Sequence, residues 1–162
     1  MTRRSDFRIR DYDPGDLDGV IRVFVDAIRL VARKDYNPDQ IAAWSAVDRD
    51  EWARWRLTRP TFVAEVDGEI IGFSDLENDG HLDMMFVAPH QQRRGVSKAL
   101  LARVERQARM LGLTFVYAEA SKTARPFFES QGFAVTGPVT IEEGGQVFDL
   151  FAVEKAISPD RS

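Results

Sequence analysis

Polar and apolar residues alternate at the start of the chain. Phe7 and Ile9 sit between Asp6, Arg8 and Arg10, the two-residue period of a short half-buried strand. Asp13-Pro14-Gly15-Asp16 then predicts a helix start, with a capping acid, a proline in the first turn and a second acid near the helix N-terminus. Leu17, Val20, Ile21, Phe24, Ile28 and Val31 follow at helical spacing, so a first helix is expected to run to about Arg33. Asn37-Pro38-Asp39 opens a second helical stretch with Ile41 and Trp44. Asp48-Arg49-Asp50 opens a third, with Trp52, Trp55 and Leu57.

After Pro60 the period changes to that of strands. Phe62–Val66 and Ile70–Phe73 flank Asp67-Gly68, a strong hairpin signal. Asn78-Asp79-Gly80 predicts another turn, and His81–Val87 the next strand. Val96, Leu100, Val104 and Leu111 predict a helix over 95–111, ended by Gly112. Phe115–Ala118 reads as a strand, Thr123–Gln131 as a short helix ended by Gly132. Phe133–Val135 and Val147–Val153 are closing strands around Gly144-Gly145. No linker or repeat divides the pattern, so residues 1–162 are expected to form one mixed α/β domain with a core over about 7–155.

Composition narrows the function classes. The chain has 162 residues, 44% hydrophobic and 30% charged, enough for a self-supporting core. It has no cysteine, which removes disulfides, thiolate metal sites and a cysteine nucleophile, and suits a cytoplasmic location. The basic start, Thr2-Arg3-Arg4, is followed by no apolar run, so no secretory signal or membrane span is expected. With 22 basic and 26 acidic residues the net charge is −4, which argues against general nucleic-acid binding. His81 and His90 lie on either side of a strand without ligand spacing, so no metal is expected.

The stretch most able to carry chemistry runs from Val87 to Lys98. It joins a strand, a turn with Pro89, a basic loop with one glycine and a long amphipathic helix. A helix N-terminus offers unpaired N–H groups and partial positive charge, a setting for a pyrophosphate. Gly95 would let phosphates approach the backbone, Ser97 is small enough not to block them, and Arg93, Arg94 and Lys98 could add charge-assisted contacts. An ordinary strand-to-helix turn with a solvated basic face has the same residues. It is neither a P-loop nor a dinucleotide fingerprint, because the further glycines and the Lys-Ser/Thr pair are absent.

These residues resemble a family. Gln92-Arg93-Arg94-Gly95-Val96-Ser97 resembles the Gln/Arg-x-x-Gly-x-Gly/Ala acyl-CoA signature of the GNAT N-acetyltransferase superfamily, with Ser97 in place of the last small residue. Downstream, Ser121-Lys122-Thr123-Ala124-Arg125-Pro126-Phe127-Phe128-Glu129-Ser130-Gln131-Gly132-Phe133 is similar to the family's Asn-x-x-Ala-x-x-Phe-Tyr-Glu-x-x-Gly-Phe segment. Ser121 takes the place of Asn, and Phe128 that of Tyr. The element order agrees from Phe7 to Lys155.

The resemblance implies a central, mostly antiparallel twisted sheet of six to seven strands flanked by helices. It also implies an acetyl group carried from acetyl-CoA to a primary amine of a small molecule or protein, by direct attack in a ternary complex. Met85, Phe86 and Val87 would pair with the pantetheine arm, and an N–H of Phe86 or Val87 would hold the oxyanion. Gln92, Arg93, Arg94, Gly95, Val96, Ser97 and Lys98 would hold the pyrophosphate. Ser121, Ala124, Phe127 and Phe128 would flank the thioester.

A base is needed because a lysine-like amine has a pKa of about 10.4. If His81–Val87 is one strand, His81, Asp83, Met85 and Val87 share a face. Asp83 is then the first candidate and His81 the second, with Glu77 or Asp79 acting through water; structural roles for both are equally open. Phe128 cannot donate a proton to the leaving thiolate, which leaves that role to solvent or to Tyr36 or Tyr117. Tyr36, Gln40 and Trp44, with Phe73 and Asp75, are expected at the acceptor site if Asn37 does not break the helix face; an aromatic core stripe is the alternative. The missing tyrosine keeps open a non-catalytic acyl-CoA-binding module, and the Gly95 turn alone a phosphate-binding domain. The closing strand Val147–Val153, if at an edge, could pair across a homodimer.

Overall fold

Side-chain caps decide where the first helices begin. The computed structural model describes residues 6–30, 32–91 and 95–159. After strand β1 (Arg8–Asp11), the Asp13 carboxylate accepts the N–H of Gly15 at 3.0 Å, and the Asp16 carboxylate accepts that of Asp13 at 2.8 Å. This box starts a 3-10 turn that runs into α1 (Leu17–Leu30). The expected continuation to Arg33 is instead a separate 3-10 turn, Ala32–Lys34; Val31 lies outside the described residues. Asn37 caps α2 (Pro38–Trp44), and Asp48 caps α3 (Arg49–Thr58). Tyr36 therefore precedes the helix that carries Gln40 and Trp44.

Strands β2 (Thr61–Val66) and β3 (Glu69–Asp75) form the expected hairpin, followed by β4 (Met85–Val87) and α4 (Val96–Met110). The chain continues through β5 (Phe115–Ala120), α5 (Arg125–Ser130), β6 (Ala134–Glu143) and β7 (Gln146–Ala156). Two antiparallel sheets result, in the orders β1-β2-β3-β4 and β5-β7-β6. Between them a parallel bridge joins His81 to Tyr117, where Leu82 N–H donates to the Tyr117 carbonyl at 2.8 Å. Past that bridge β4 and β5 form no ladder among the described residues, and a cleft opens between them.

One expectation is corrected here. The strand predicted over His81–Val87 is regular only from Met85. One oxygen of buried Asp75 accepts the N–H groups of Asp83 and Met84 at 3.0 and 2.9 Å, diverting them from a ladder. The alternation that would put His81, Asp83, Met85 and Val87 on one face therefore does not hold. Strand β7 lies between β5 and β6, but β5 pairs only with Phe151–Ala156, so among the described residues Val147–Leu150 have a strand partner on the β6 side alone.

Apolar side chains pack on both faces of the first sheet. Phe62, Ala64, Ile71 and Val87 meet Leu100 and Val104 of α4 on one side, while Val63 and Phe73 meet Val20, Phe24 and Trp52 on the other. Gly72 sets how closely α4 approaches. A Cβ there would lie 3.1 Å from a Val96 methyl and 3.2 Å from both a Leu100 methyl and the Phe86 carbonyl oxygen. The absent side chain lets the N-terminal turn of α4 rest beside β4.

Candidate active site

A cleft of about 430 Å³ opens where β4 and β5 part. Met85, Phe86 and Val87 line it from β4, Gly95 to Lys98 from the start of α4, and Ser121, Ala124, Phe127 and Phe128 from the β5–α5 segment. Of the residues expected at the cofactor, Gln92, Arg93 and Arg94 lie outside the described residues; all the others line this cleft. Ala27 and Ile28 of α1 also line it, a contribution that no local motif signals.

Backbone geometry explains much of this cleft. Gly95 is the N-cap of α4 with φ of 83°, in the left-handed region, and no side chain caps the helix. A Cβ on Gly95 would meet nothing within 4 Å, so the space above the turn is open. The first N–H groups of a 15-residue helix thus face the cleft next to Lys98.

On β4, Ala88 N–H donates to the Ile71 carbonyl and Asp75 N–H to that of Met84. The alternation of an antiparallel ladder then makes Phe86 the hydrogen-bonded partner of Phe73. The N–H of Phe86 points into the sheet and cannot also be an oxyanion donor. Met85 and Val87 turn their backbone groups to the opposite edge.

A second cavity, of about 290 Å³, shares Trp44, Met85, Phe86, Ser121, Ala124 and Phe128 with the first. Its remaining walls are aromatic, from Phe24, Trp52, Trp55 and Phe148, with acidic Asp83, Glu119 and Glu143. Neither Glu119 nor Glu143 is evident from sequence. The strand expected to end at Ala118 continues to Ala120, and its alternation turns Glu119 away from buried Ala118 and Ala120.

Several expected residues lie elsewhere. Asp75 is fully buried and lines neither cavity: its second oxygen pairs with Arg56 at 2.9 Å, both side chains being 0% exposed. Burial pushes its pKa up and the Arg56 guanidinium opposes this. Tyr36 and Gln40 also line neither. The Tyr36 hydroxyl accepts the Lys122 N–H at 3.2 Å while its ring packs on Trp44 and Phe148. Gln40 completes the Asn37 capping box and donates to the Val147 carbonyl at 2.9 Å. Of that set, Trp44 alone reaches the cavities.

His81 is held on both sides: Nδ1 lies 2.8 Å from Glu77 and Nε2 2.8 Å from Glu119, and the ring stacks on Tyr117. Burial alone would lower its pKa, but the hydrogen bonds to Glu119 and Glu77 prevail and raise it to about 9. An imidazolium with both N–H groups engaged has no lone pair for a substrate proton, so His81 does not fit the role of base. Glu77, His81 and Asp83 place ligand-type atoms within 4.8 Å of one another, and a cation there would have to displace a proton from His81.

Asp83 lines the second cavity and pairs with Arg59 at 2.9 Å. Neither Tyr36 nor Tyr117 lines either of these two cavities. Tyr117 donates to Asp79 at 2.6 Å, which lifts its pKa to about 12, and burial raises that of Tyr36. Phe128 itself stands where the two cavities meet.

The chain is similar to known proteins over nearly its whole length. Residues 32–150 match the family model for the acetyltransferase (GNAT) domain. The uncharacterized N-acetyltransferase YafP of Escherichia coli K12 is 34% identical over 148 residues, covering 91% of this chain and 94% of its own. The chain belongs to the GNAT acetyltransferase family.

Solved structures agree. A GCN5-related N-acetyltransferase from Rhodopseudomonas palustris is 26% identical with a TM-score of 0.91, over 97% of this chain and 99% of that one. YncA of Salmonella typhimurium, solved with its cofactor acetyl-CoA, is 21% identical with a TM-score of 0.73, over 98% of both chains. The mixed α/β architecture expected from the resemblance is thus that of GNAT acetyltransferases, and catalytic acetyl transfer is the activity of the family rather than ligand storage.

Proposed function

We propose that this GNAT enzyme moves the acetyl group of acetyl-CoA, held in the larger cleft, to a primary amine held in the smaller cavity. The observation that carries this reading is the shared wall. Met85, Ser121 and Phe128 border both spaces, so a thioester lying along β4 and an amine beyond it would meet without any further movement. The outer edge of β4 takes the pantetheine arm and faces the thioester carbonyl. The open N-terminal turn of α4, with Ser97 and Lys98, takes the pyrophosphate. Acetyl-CoA in the YncA structure supports the donor's identity.

The reaction balances as direct transfer. The neutral amine nitrogen attacks the thioester carbon, the C–N bond forms, and the C–S bond breaks to release the coenzyme A thiolate. The ammonium form of the acceptor loses one proton before attack and a second as the amide forms. Asp83, the expected base that borders the acceptor cavity, receives the first through water. The second passes to solvent, and solvent returns a proton to the thiolate to give the thiol, because Phe128 has no hydroxyl.

Calorimetry with acetyl-CoA tests the donor site, and thiol release across an amine library tests transfer. Acetyl-CoA binding with amine-dependent thiol release is expected. Binding without release from any amine would return the chain to the role of an acyl-CoA-holding module.

A further inference from the structure

The two cavities differ in charge. Among the described residues, the donor cleft is lined by Lys98 and by no acid, whereas the second cavity is lined by Asp83, Glu119 and Glu143 and by no lysine or arginine. The second is also the aromatic one. Trp44, Trp52, Trp55, Phe24, Phe86 and Phe148 border it, and edge-to-face contacts hold these rings in place: Phe24 on Trp52 at 4.6 Å, Trp44 on Phe148 at 5.6 Å. At about 290 Å³ it sits at the small end of ligand pockets, roughly 300–1,000 Å³. Walls of this kind fit one compact apolar body better than a polar chain.

The acidic residues are not equivalent. Asp83 is turned to Arg59 on the exposed side. Glu119 is partly buried and fixed through one oxygen by the His81 imidazolium at 2.8 Å, itself fixed by Glu77 at 2.8 Å. A carboxylate has lone pairs for more than one donor, so this contact orients Glu119 without exhausting it. Ser121, two residues further along the same strand end, borders both cavities.

Resting on the transfer reading above, we infer that the acceptor is a small primary amine on an aromatic or similarly bulky apolar body, whose ammonium is received by Glu119. Polyamines and lysine side chains fit less well, because their flexible or polar remainder gains little from ring walls. Glu119 acts on recognition here, and His81 and Glu77 are positioning residues behind it.

The test compares phenethylamine, n-butylamine, spermidine and a lysine-containing peptide by acetyl-CoA-dependent thiol release. Phenethylamine should have a kcat/KM at least about tenfold above each of the others. In Glu119→Gln, phenethylamine affinity for the coenzyme A-loaded enzyme should fall about tenfold or more. That of its uncharged isostere 2-phenylethanol, and that of acetyl-CoA, should stay unchanged.

Trp55 borders only the second cavity, so Trp55→Leu should shrink the preference for phenethylamine over butylamine with donor affinity intact. It keeps the inference testable if Glu119→Gln fails to fold. Preference for spermidine or peptide, or equal loss of both phenethyl ligands in Glu119→Gln, would overturn the inference while leaving acetyl transfer standing. Thiol release from no amine, with acetyl-CoA still bound, would instead overturn the transfer reading.

Discussion

The cleft proposed for the donor and the cavity proposed for the acceptor share a wall yet are built by different means. The donor cleft is largely a backbone object: the outer edge of a three-residue strand, a left-handed glycine and an uncapped helix start. At the turn itself the side chains are small or positive, Gly95, Ser97 and Lys98, and apolar side chains such as Met85, Phe127 and Phe128 line the rest. The proposed acceptor cavity is a side-chain object, assembled from α1, α2, α3, β5 and the β6–β7 pair, with two of its acids, Glu119 and Asp83, held by partners from other segments. A backbone site tolerates drift in sequence as long as its turn survives. A side-chain site can change its ligand by exchanging a few residues, which is how one family keeps a donor while varying acceptors.

The largest expected effect falls on the buried pair behind Asp83 and Met84, which border the second cavity. Asp75→Ala would leave Arg56 as a fully buried cation and release the N–H groups of Asp83 and Met84. A stability loss of about 3–5 kcal/mol is expected in urea unfolding. If a loss below about 1 kcal/mol is found, the pair does not hold the acceptor-side segment as argued.

Next in size is the pH response of His81. Its pKa is raised in the folded protein from 6.5 to about 9, so protonation favours the fold. This contribution is complete below pH 6.5 and is lost as pH rises through about 9. The melting temperature should therefore drop by a few degrees between pH 6.5 and 9.5, and much less in Glu119→Gln, which removes one of the two partners. Equal drops in both proteins would show that the Glu119–His81 contact does not set the shift.

The smallest effect sharpens the donor side. Gly95→Ala places a Cβ in open space but in a left-handed conformation, at a cost of about 1–2 kcal/mol. Acetyl-CoA affinity should weaken about tenfold by calorimetry, with acceptor KM little changed. An equal loss at both sites would mean that the two cavities are not separable in the way their construction suggests.

Much of this was legible in the sequence where the cause is local. The caps at Asp13, Asn37 and Asp48, the Asp67-Gly68 hairpin and the glycine before α4 act within four residues, and the elements they predict are present. The strand expected over His81–Val87 is cut short because the N–H groups of Asp83 and Met84 answer to Asp75, a residue on another strand. Tyr36 and Gln40 failed for a related reason: Asn37 separates them as a cap, and their polar atoms serve Lys122 and Val147 instead.

By itself, then, the sequence determined the order of elements, the Gly95 turn, the absence of a hydroxyl at Phe128 and the membership of a family, since each depends on residue type at fixed short spacing. Tertiary structure alone decided which strands part, which acids face a cavity and which are buried as pins. Those outcomes depend on contacts between residues far apart in the chain, Asp75 with Arg56 and His81 with Glu119, whose partners no local pattern specifies.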